Sequence, residues 1–181
     1  MIVKQSFYNR PTLKVAQDLL GCFLVRKLNG KIIKAKIVET EAYNGPKDLA
    51  SHASRGKTER NKIMFGEPGI IYVYFTYGMH YMFNIVTENE DYPAAVLIRA
   101  VIVENSSRGK LNTNGPARLT KCLRIDKSFN GLSIFTKKYG LWVECRKDRI
   151  LPKQIKKTKR IGIDYAGDYK DKLWRYVLEM N

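Results

Sequence analysis

The sequence predicts one mixed α/β (α+β) domain over residues 1–181, with strands filling its middle and helices that are few and short. Three observations carry this. A chain of 181 residues with 44% hydrophobic content is long enough to bury one core and short for two. Between Gly69 and Val103 three successive runs are rich in β-branched and aromatic residues, the composition that fits a pleated sheet. Only Thr12 to Leu20 and the stretch after Gly115 space their apolar residues as a helix does,.

In chain order, Thr12 to Leu20 sets Val15, Ala16, Leu19 and Leu20 on one side, with Gly21 placed as a C-terminal stop,. Cys22 to Arg26 and Lys31 to Tyr43 read as strands joined by the hairpin signal Asn29-Gly30,. Asn44 to Pro68 is polar and weakly periodic, an irregular loop with one helical turn. From Ile70 to Tyr77 and from Tyr81 to Val86 the pattern is a hairpin broken at Gly78. Ala94 to Val103 is apolar on both faces except at Arg99, as a central strand is,. Glu104 to Asn114 reads as a polar loop. Gly115-Pro116 then opens a helix, proline in its first turn and Leu119, Cys122 and Leu123 on one face,. The tail alternates short strands and turns through the basic run Lys153 to Arg160, and reaches an aromatic segment at Trp174 to Val177. No repeat or low-complexity linker interrupts it.

Charge narrows the partner. Lys plus Arg number 33 against 17 Asp plus Glu, a formal net charge of +16. Such an excess repels itself in a compact fold, and a phosphate backbone relieves it through counterion release. Membrane headgroups are the rival polyanion, but neither a long apolar span nor a clean basic amphipathic helix is present, so no membrane partner is expected. Met1 to Ser6 lacks the apolar core and cleavage site of a signal peptide, and the expectation is an intracellular protein of the cytoplasm or nucleoid. Cys22, Cys122 and Cys145 form no C-x-x-C pair and read as core thiols rather than a disulfide framework or zinc ribbon. With His52 and His80 the only histidines, a histidine-rich metal site is not expected; carboxylate-bound magnesium stays open.

The candidate chemistry begins at Val38-Glu39-Thr40-Glu41-Ala42-Tyr43. If the chain stays extended, Ile33, Ala35 and Ile37 share a face with Glu39, Glu41 and Tyr43. Two solvated acids at a strand end are the plain interpretation; carboxylates at the rim of a buried face are the functional one, because partial desolvation tunes them for proton transfer. The hairpin carries Tyr72, Tyr74, Tyr77 and Tyr81. Aromatic residues favour strands anyway, but an exposed aromatic at a hairpin tip in a basic protein can wedge between stacked bases. Arg99, set in an apolar run, must be paired if buried, and the Glu39/Glu41 pair is a possible partner. Asn84 either satisfies a neighbouring backbone group or reads a base edge.

Taken together, these residues resemble the alkyladenine family of DNA-3-methyladenine glycosylases, monofunctional enzymes that excise alkylated and deaminated purines. The likeness rests on Ala16 to Gly21, Ile37 to Tyr43 with Gly45-Pro46, Ala50-Ser51-His52, Arg60 to Phe65, and Tyr72-Val73-Tyr74 through Tyr77-Gly78-Met79. It continues through Asn84, Val96 to Ala100, Gly115 to Leu119, Arg160 to Ile163 and Trp174-Arg175. So many ordered blocks span nearly the whole chain, where any one alone would be weak.

The resemblance implies a curved antiparallel sheet flanked by helices. It makes Glu41 the base that activates water for attack on the anomeric carbon, with Arg99 helping to hold that water. Tyr43 and His52 would line one side of a flipped base and Tyr74 the other, with Asn84 near the purine edge and Tyr77 intercalating into the gap in the duplex. An aromatic sandwich of this kind attracts alkylated, cationic purines. Met79, Arg60, Arg118 and Lys121 are the further DNA-contact candidates, with Arg55, Lys57 and Lys62 as lesser phosphate contacts. Double-stranded DNA carrying damaged purines is the implied partner, to a monomer without cofactor or metal. No lysine matches a nucleophile position, which implies base release without a Schiff base. Glu39 is left structural or in support of its neighbours. Departures at Thr76, His80 and the short Glu104 to Asn114 loop touch substrate range and DNA contacts. Two other classes compete: a noncatalytic nucleic-acid-binding module, and, less well supported by only two prominent carboxylates, a metal-dependent nuclease.

Overall fold

The chain opens with one helical turn, α1 (Gln5–Tyr8), which the sequence pattern did not announce, and a short helix, α2 (Thr12–Asp18). The computed structural model describes residues 1–106, 109–145 and 150–179. At the start of α2 the carboxylate of Glu88 accepts from the Thr12 N–H and hydroxyl at 2.6 and 3.0 Å, satisfying a first-turn donor that has no partner within the helix. Gly21, at φ 77°, ends the turn and bonds Ile37. The chain then enters the sheet as β1 (Phe23–Leu28) and β2 (Lys31–Asn44). Asn29 and Gly30 between them both have positive φ, which a two-residue hairpin turn of matching twist requires.

The remaining elements are β3 (Ile71–Thr76), β4 (His80–Val86), β5 (Ala94–Ser106), β6 (Gly109–Asn112), α3 (Pro116–Leu123), β7 (Leu141–Glu144), β8 (Ile155–Thr158) and β9 (Arg175–Leu178). They form one curved antiparallel sheet in the order β3-β4-β5-β2-β1-β7, with β6 on β5, β9 on β2 and β8 on β9. The expected mixed fold with its curved sheet and flanking helices is what the chain adopts. The apolar β5 is central, between β4 and β2. Val15, Ala16, Leu19 and Leu20 join Leu119 and Leu123 of α3 in one buried core with the sheet.

Four expectations change. The stretch from Glu104 to Asn114 is largely a hairpin, since β5 runs on to Ser106 and pairs with β6; Ser107 and Arg108 lie outside the described residues. An edge strand needs no apolar alternation, so its polar sequence reads as loop. The Asn44 to Pro68 loop carries two 3-10 turns, His52–Arg55 and Lys62–Phe65. Buried Asn61 organises it, donating to the His52 and Gly56 carbonyls at 2.9 Å and accepting from the Thr58 N–H at 2.7 Å. Cys145 is exposed rather than a core thiol, while Cys22 is buried.

The fourth concerns the acids. Along the β2–β5 ladder Ile37 faces Val101, Glu39 faces Ala100 and Thr40 faces Ile98, so Val38 and Arg99 are each an extra residue on their strands. Such bulges shift the alternation of side chains. Thr40 and Ala42, not Glu39 and Glu41, therefore continue the core face of Ala35 and Ile37: Ala42 lies in the same core cluster, and the Thr40 hydroxyl donates to the Ala16 carbonyl at 2.8 Å. Glu39, Glu41 and Tyr43 turn to the other side.

Gly69 leads into β3 at φ +79°, and a Cβ there would stand 2.8 Å from the Phe135 ring and 3.0 Å from that of Tyr8. Gly69→Ala combines left-handed strain with overpacking, so we expect a loss of about 2–4 kcal/mol, read as a lower urea midpoint with an unchanged m-value.

Candidate active site

A cavity of about 340 Å³ opens where the end of β2, the β3–β4 hairpin, the turn at His52 and the segment from Ile161 to Tyr165 converge. That volume is at the low end for small-ligand pockets. Tyr43, His52, Tyr74, Asn84, Arg99 and Tyr77 all line it. Six residues singled out from separate parts of the sequence thus meet around one space.

Glu41 is fully buried and lies behind the wall, but three of its partners line the cavity. Its Oε1 accepts from the Ile161 N–H at 2.9 Å and lies 3.3 Å from Arg99 Nη1; its Oε2 accepts from the Tyr43 hydroxyl at 2.9 Å. A carboxylate can accept about four hydrogen bonds, so Oε2 keeps room for one more donor. Burial raises the Glu41 carboxyl above the ordinary 4.5, against the pull of Arg99, Ile161, Tyr43 and Arg160 in the other direction. The result is a desolvated but charge-supported proton acceptor. Arg99 is held in turn: its Nε donates to Glu39 at 3.0 Å, and Arg175 reaches the same Glu39 oxygen at 2.7 Å. The two bulges bring these groups to one side of the sheet.

The aromatic wall is neutral at physiological pH. His52 Nδ1 lies 2.9 Å from the Tyr72 hydroxyl. Although part of the ring is open to solvent, its packed side and then the charge of Arg60 lower its pKa to about 4. Burial pushes the Tyr72 hydroxyl up to about 12 and raises those of Tyr43 and Tyr74. His52 and Tyr74 meet edge to face, with centroids 4.5 Å apart. A ring stacked between two plates needs them about 7 Å apart, twice the carbon contact distance, so a base standing between these two must first part them. Asn84 is buried, and its amide nitrogen already donates to the Tyr72 and Met82 carbonyls at 3.1 and 3.3 Å. Only its Oδ1 is left to meet a ligand, as an acceptor.

At the mouth, Tyr77 is 80% exposed at φ 51°, followed by Gly78 at φ 66° and by Met79, 68% exposed. A left-handed tyrosine costs roughly 1–2 kcal/mol relative to an ordinary conformation, and nothing in the fold is buried in return. Strain of this kind at a cavity mouth points to use. Beyond the tip, Met79, Arg118 and Lys121 border a second depression of about 520 Å³, together with Arg124; the three cations are exposed. Arg60 is placed differently, its guanidinium 5.4 Å from the Tyr74 ring centre and 3.4 Å from the Phe75 carbonyl. Among the described residues, no three His, Cys, Asp or Glu side chains are grouped as a metal site requires, and no helix is long and apolar enough to cross a membrane.

Known proteins resemble this chain over nearly its whole length. Residues 6–181 match the family described as methylpurine-DNA glycosylase. The chain belongs to that family. It is 46% identical to a relative from Carboxydothermus hydrogenoformans over 191 residues, covering 100% of this chain and 97% of that one. Relatives from Desulfitobacterium hafniense and Methanocella arvoryzae are each 44% identical, covering 97% of this chain and 94% and 91% of theirs. All three carry provisional names as 3-methyladenine DNA glycosylases.

Within this glycosylase, sequence reasoning gave no role to the buried Asp48–Arg160 pair, the Ile161 N–H, Arg175 or Arg124. Arg160 closes a run of surface-type lysines, Asp48 sits in a polar loop and 112 positions separate them, so no local pattern ties one to the other. A backbone N–H leaves no sequence signal at all.

The raised Glu41 value makes a stability prediction. The folded state holds that proton more tightly than the unfolded chain does. Above the raised value the ionised, desolvated carboxylate weighs on the wild type; as pH falls through it towards 4.5, the wild type gains relative to Glu41→Gln. We expect the melting temperature of Glu41→Gln relative to wild type to be greatest at pH 7.5, where the wild-type carboxylate is ionised. The difference should fall as the pH is lowered through the carboxyl range, in thermal melts of both proteins across a pH series.

Proposed function

We propose that this chain is a monofunctional glycosylase acting on double-stranded DNA as a monomer, excising alkylated purines of the 3-methyladenine type and also deaminated ones. Its enzyme class, a DNA glycosylase that hydrolyses N-glycosyl bonds, follows from the family. The observation that carries the rest is Glu41, buried under an aromatic cavity with one acceptor position free beside Tyr43 and Arg99. A purine inside a duplex cannot reach such a cavity, so the nucleotide must be extruded, and Tyr77 is placed to fill the gap it leaves.

In the chemical step, water donates a hydrogen bond to Glu41 and its oxygen attacks the anomeric carbon. The carboxylate takes the water's proton as the C–O bond forms, while the electrons of the breaking C–N bond leave with the base. An alkylated purine is already cationic and departs neutral. A deaminated purine is neutral and needs a proton on the way out, so it is the slower substrate. Arg99, oriented by Glu39, helps hold the attacking water and keeps Glu41 ionised for a further proton. Asn84, offering only its carbonyl oxygen, repels or accepts at the purine edge according to what stands there. Among the described residues no lysine lines the cavity, in keeping with base release that leaves an intact abasic site and starts base excision repair.

The direct assay uses duplex oligonucleotides with one 3-methyladenine-like or hypoxanthine base, incubated in EDTA and then treated with hot alkali. Wild type should give alkali-dependent cleavage at the lesion, and Glu41→Gln should lose about 10²–10⁴-fold in single-turnover rate, the range for a general base, while still binding the DNA. In a parallel incubation with magnesium in place of EDTA, backbone cleavage without alkali would identify a nuclease instead. Binding with no abasic site on either lesion would leave only a nucleic-acid-binding module.

Tyr77 gives a separate test. Tyr77→Gly relieves the left-handed strain and should stabilise the fold by about 1 kcal/mol. It should also slow excision from duplex by about 10-fold or more, the loss of one stacking contact, and leave a single-stranded lesion much less affected. Equal rates on both substrates would remove Tyr77 from the gap.

A further inference from the structure

Behind Tyr43 lies an ion pair that the proposed chemistry does not use. Arg160 and Asp48 have no solvent-exposed side-chain surface and meet through two bonds, Nη1 to Oδ2 at 2.6 Å and Nη2 to Oδ1 at 2.8 Å. Asp48 also accepts from the Asn44 and Ala50 N–H groups at 3.1 Å. The guanidinium reaches further carbonyls, Ala42 at 2.9 Å and Tyr169 at 3.3 Å. It lies over two rings, 4.8 Å from the Tyr43 centroid and 5.0 Å from that of Trp174.

A structural ion pair alone does not require this arrangement. Replacing a buried pair by apolar residues is often neutral or stabilising, and here Arg160 Nε finds no hydrogen-bond partner among the described residues. What the pair does touch is the frame of Glu41. Tyr43, against whose ring the guanidinium lies, donates to Oε2, and Ile161, the next residue after Arg160, donates its N–H to Oε1. The Ala42 carbonyl, between Glu41 and Tyr43 in the chain, is bonded by the same guanidinium. One planar group thus fixes the strand that carries the acid, the ring that binds one of its oxygens and the loop that binds the other.

We propose that Arg160, locked by Asp48, is a positioning residue for Glu41, fixing both carboxylate oxygens through Tyr43 and the Ile161 N–H and so setting where the attacking water stands. It touches neither substrate nor water. The inference rests on the reading of Glu41 as the base. A lysine keeps the charge but has neither the two-pronged contact with Asp48 nor a flat face for Tyr43, so Arg160→Lys separates geometry from charge.

The experiment measures single-turnover excision and lesion-DNA affinity for wild type and Arg160→Lys across a pH series. The groups facing Glu41 are Tyr43, Tyr74, Arg99 and Arg160. Losing the Tyr43 and Ile161 contacts removes support for the ionised carboxylate, so the acid limb of the rate profile should move to higher pH. We expect the plateau rate to fall about 10–100-fold, as for a displacement of about 1 Å, with affinity unchanged within about threefold. An unchanged rate and acid limb in a folded Arg160→Lys protein overturns the proposal. If that variant does not fold, Trp174→Leu removes the second ring contact and leaves the ion pair; a slower rate with a shifted acid limb supports the proposal, and a wild-type profile overturns it. Absence of excision by the wild type would instead defeat the reading of Glu41, and is seen before either variant is compared.

Discussion

Burying the carboxylate of Glu41 is the constraint on which the rest of the site depends. An isolated ionised carboxylate in a protein interior neutralises unless hydrogen bonds and opposite charge meet it. Here the compensation comes from four directions: Tyr43 two residues along β2, Arg99 from β5, the Ile161 N–H from the loop after β8 and the field of Arg160 beneath. Each brings a requirement of its own. Arg99 is held by Glu39 and, through it, by Arg175 of β9, while Arg160 is balanced by Asp48. The acid is therefore the meeting point of strands and loops distant in sequence.

The two bulges are what make that meeting possible. An unbroken β2 would aim Glu41 at the same core as Ile37, where α2 packs and, among the described residues, the cluster is apolar. One extra residue at Val38 turns the acids to the open side, and one at Arg99 turns the guanidinium to the same side, so the ladder falls back into step from Thr40 onward. Thr40 takes the vacated core position without orphaning a polar group, because its hydroxyl finds the Ala16 carbonyl.

This explains what was legible in the sequence. Elements with strong periodicity or turn chemistry could be read directly: α2, the β1–β2 turn, the β3–β4 hairpin and central β5. The pair of acids and the lone arginine could be seen as a problem needing each other, since both break an apolar pattern. How they meet could not, because strict alternation puts Glu41 on the core face and a bulge has no residue signature here; Val38 and Arg99 are not glycines. The β5–β6 hairpin was hidden by its polar composition and α1 by its brevity. Asp48 and Arg160 each look like surface charge, and only the folded chain buries one against the other.

The charges behind the rings also bear on selectivity. An aromatic plate attracts a cation through the negative potential of its face, which taken alone favours alkylated purines in the bound state. Of the tyrosines lining this cavity, Tyr43 and Tyr74 already have a guanidinium near them, Arg160 at 4.8 Å from the first and Arg60 at 5.4 Å from the second. Asp48 balances the charge of Arg160; Arg60 has no carboxylate partner among the described residues, and its field also acts on His52. A cationic base stacked in this cavity would gain less from the rings than in an isolated sandwich, and among the described residues it would meet no carboxylate except Glu41 behind the wall. On the proposed reading, preference for alkylated purines then belongs to the bond-breaking step rather than to binding. A base that leaves as a neutral molecule loses its charge in the transition state, and with it the repulsion from Arg60, so the same field that weakens binding of the cation favours its departure.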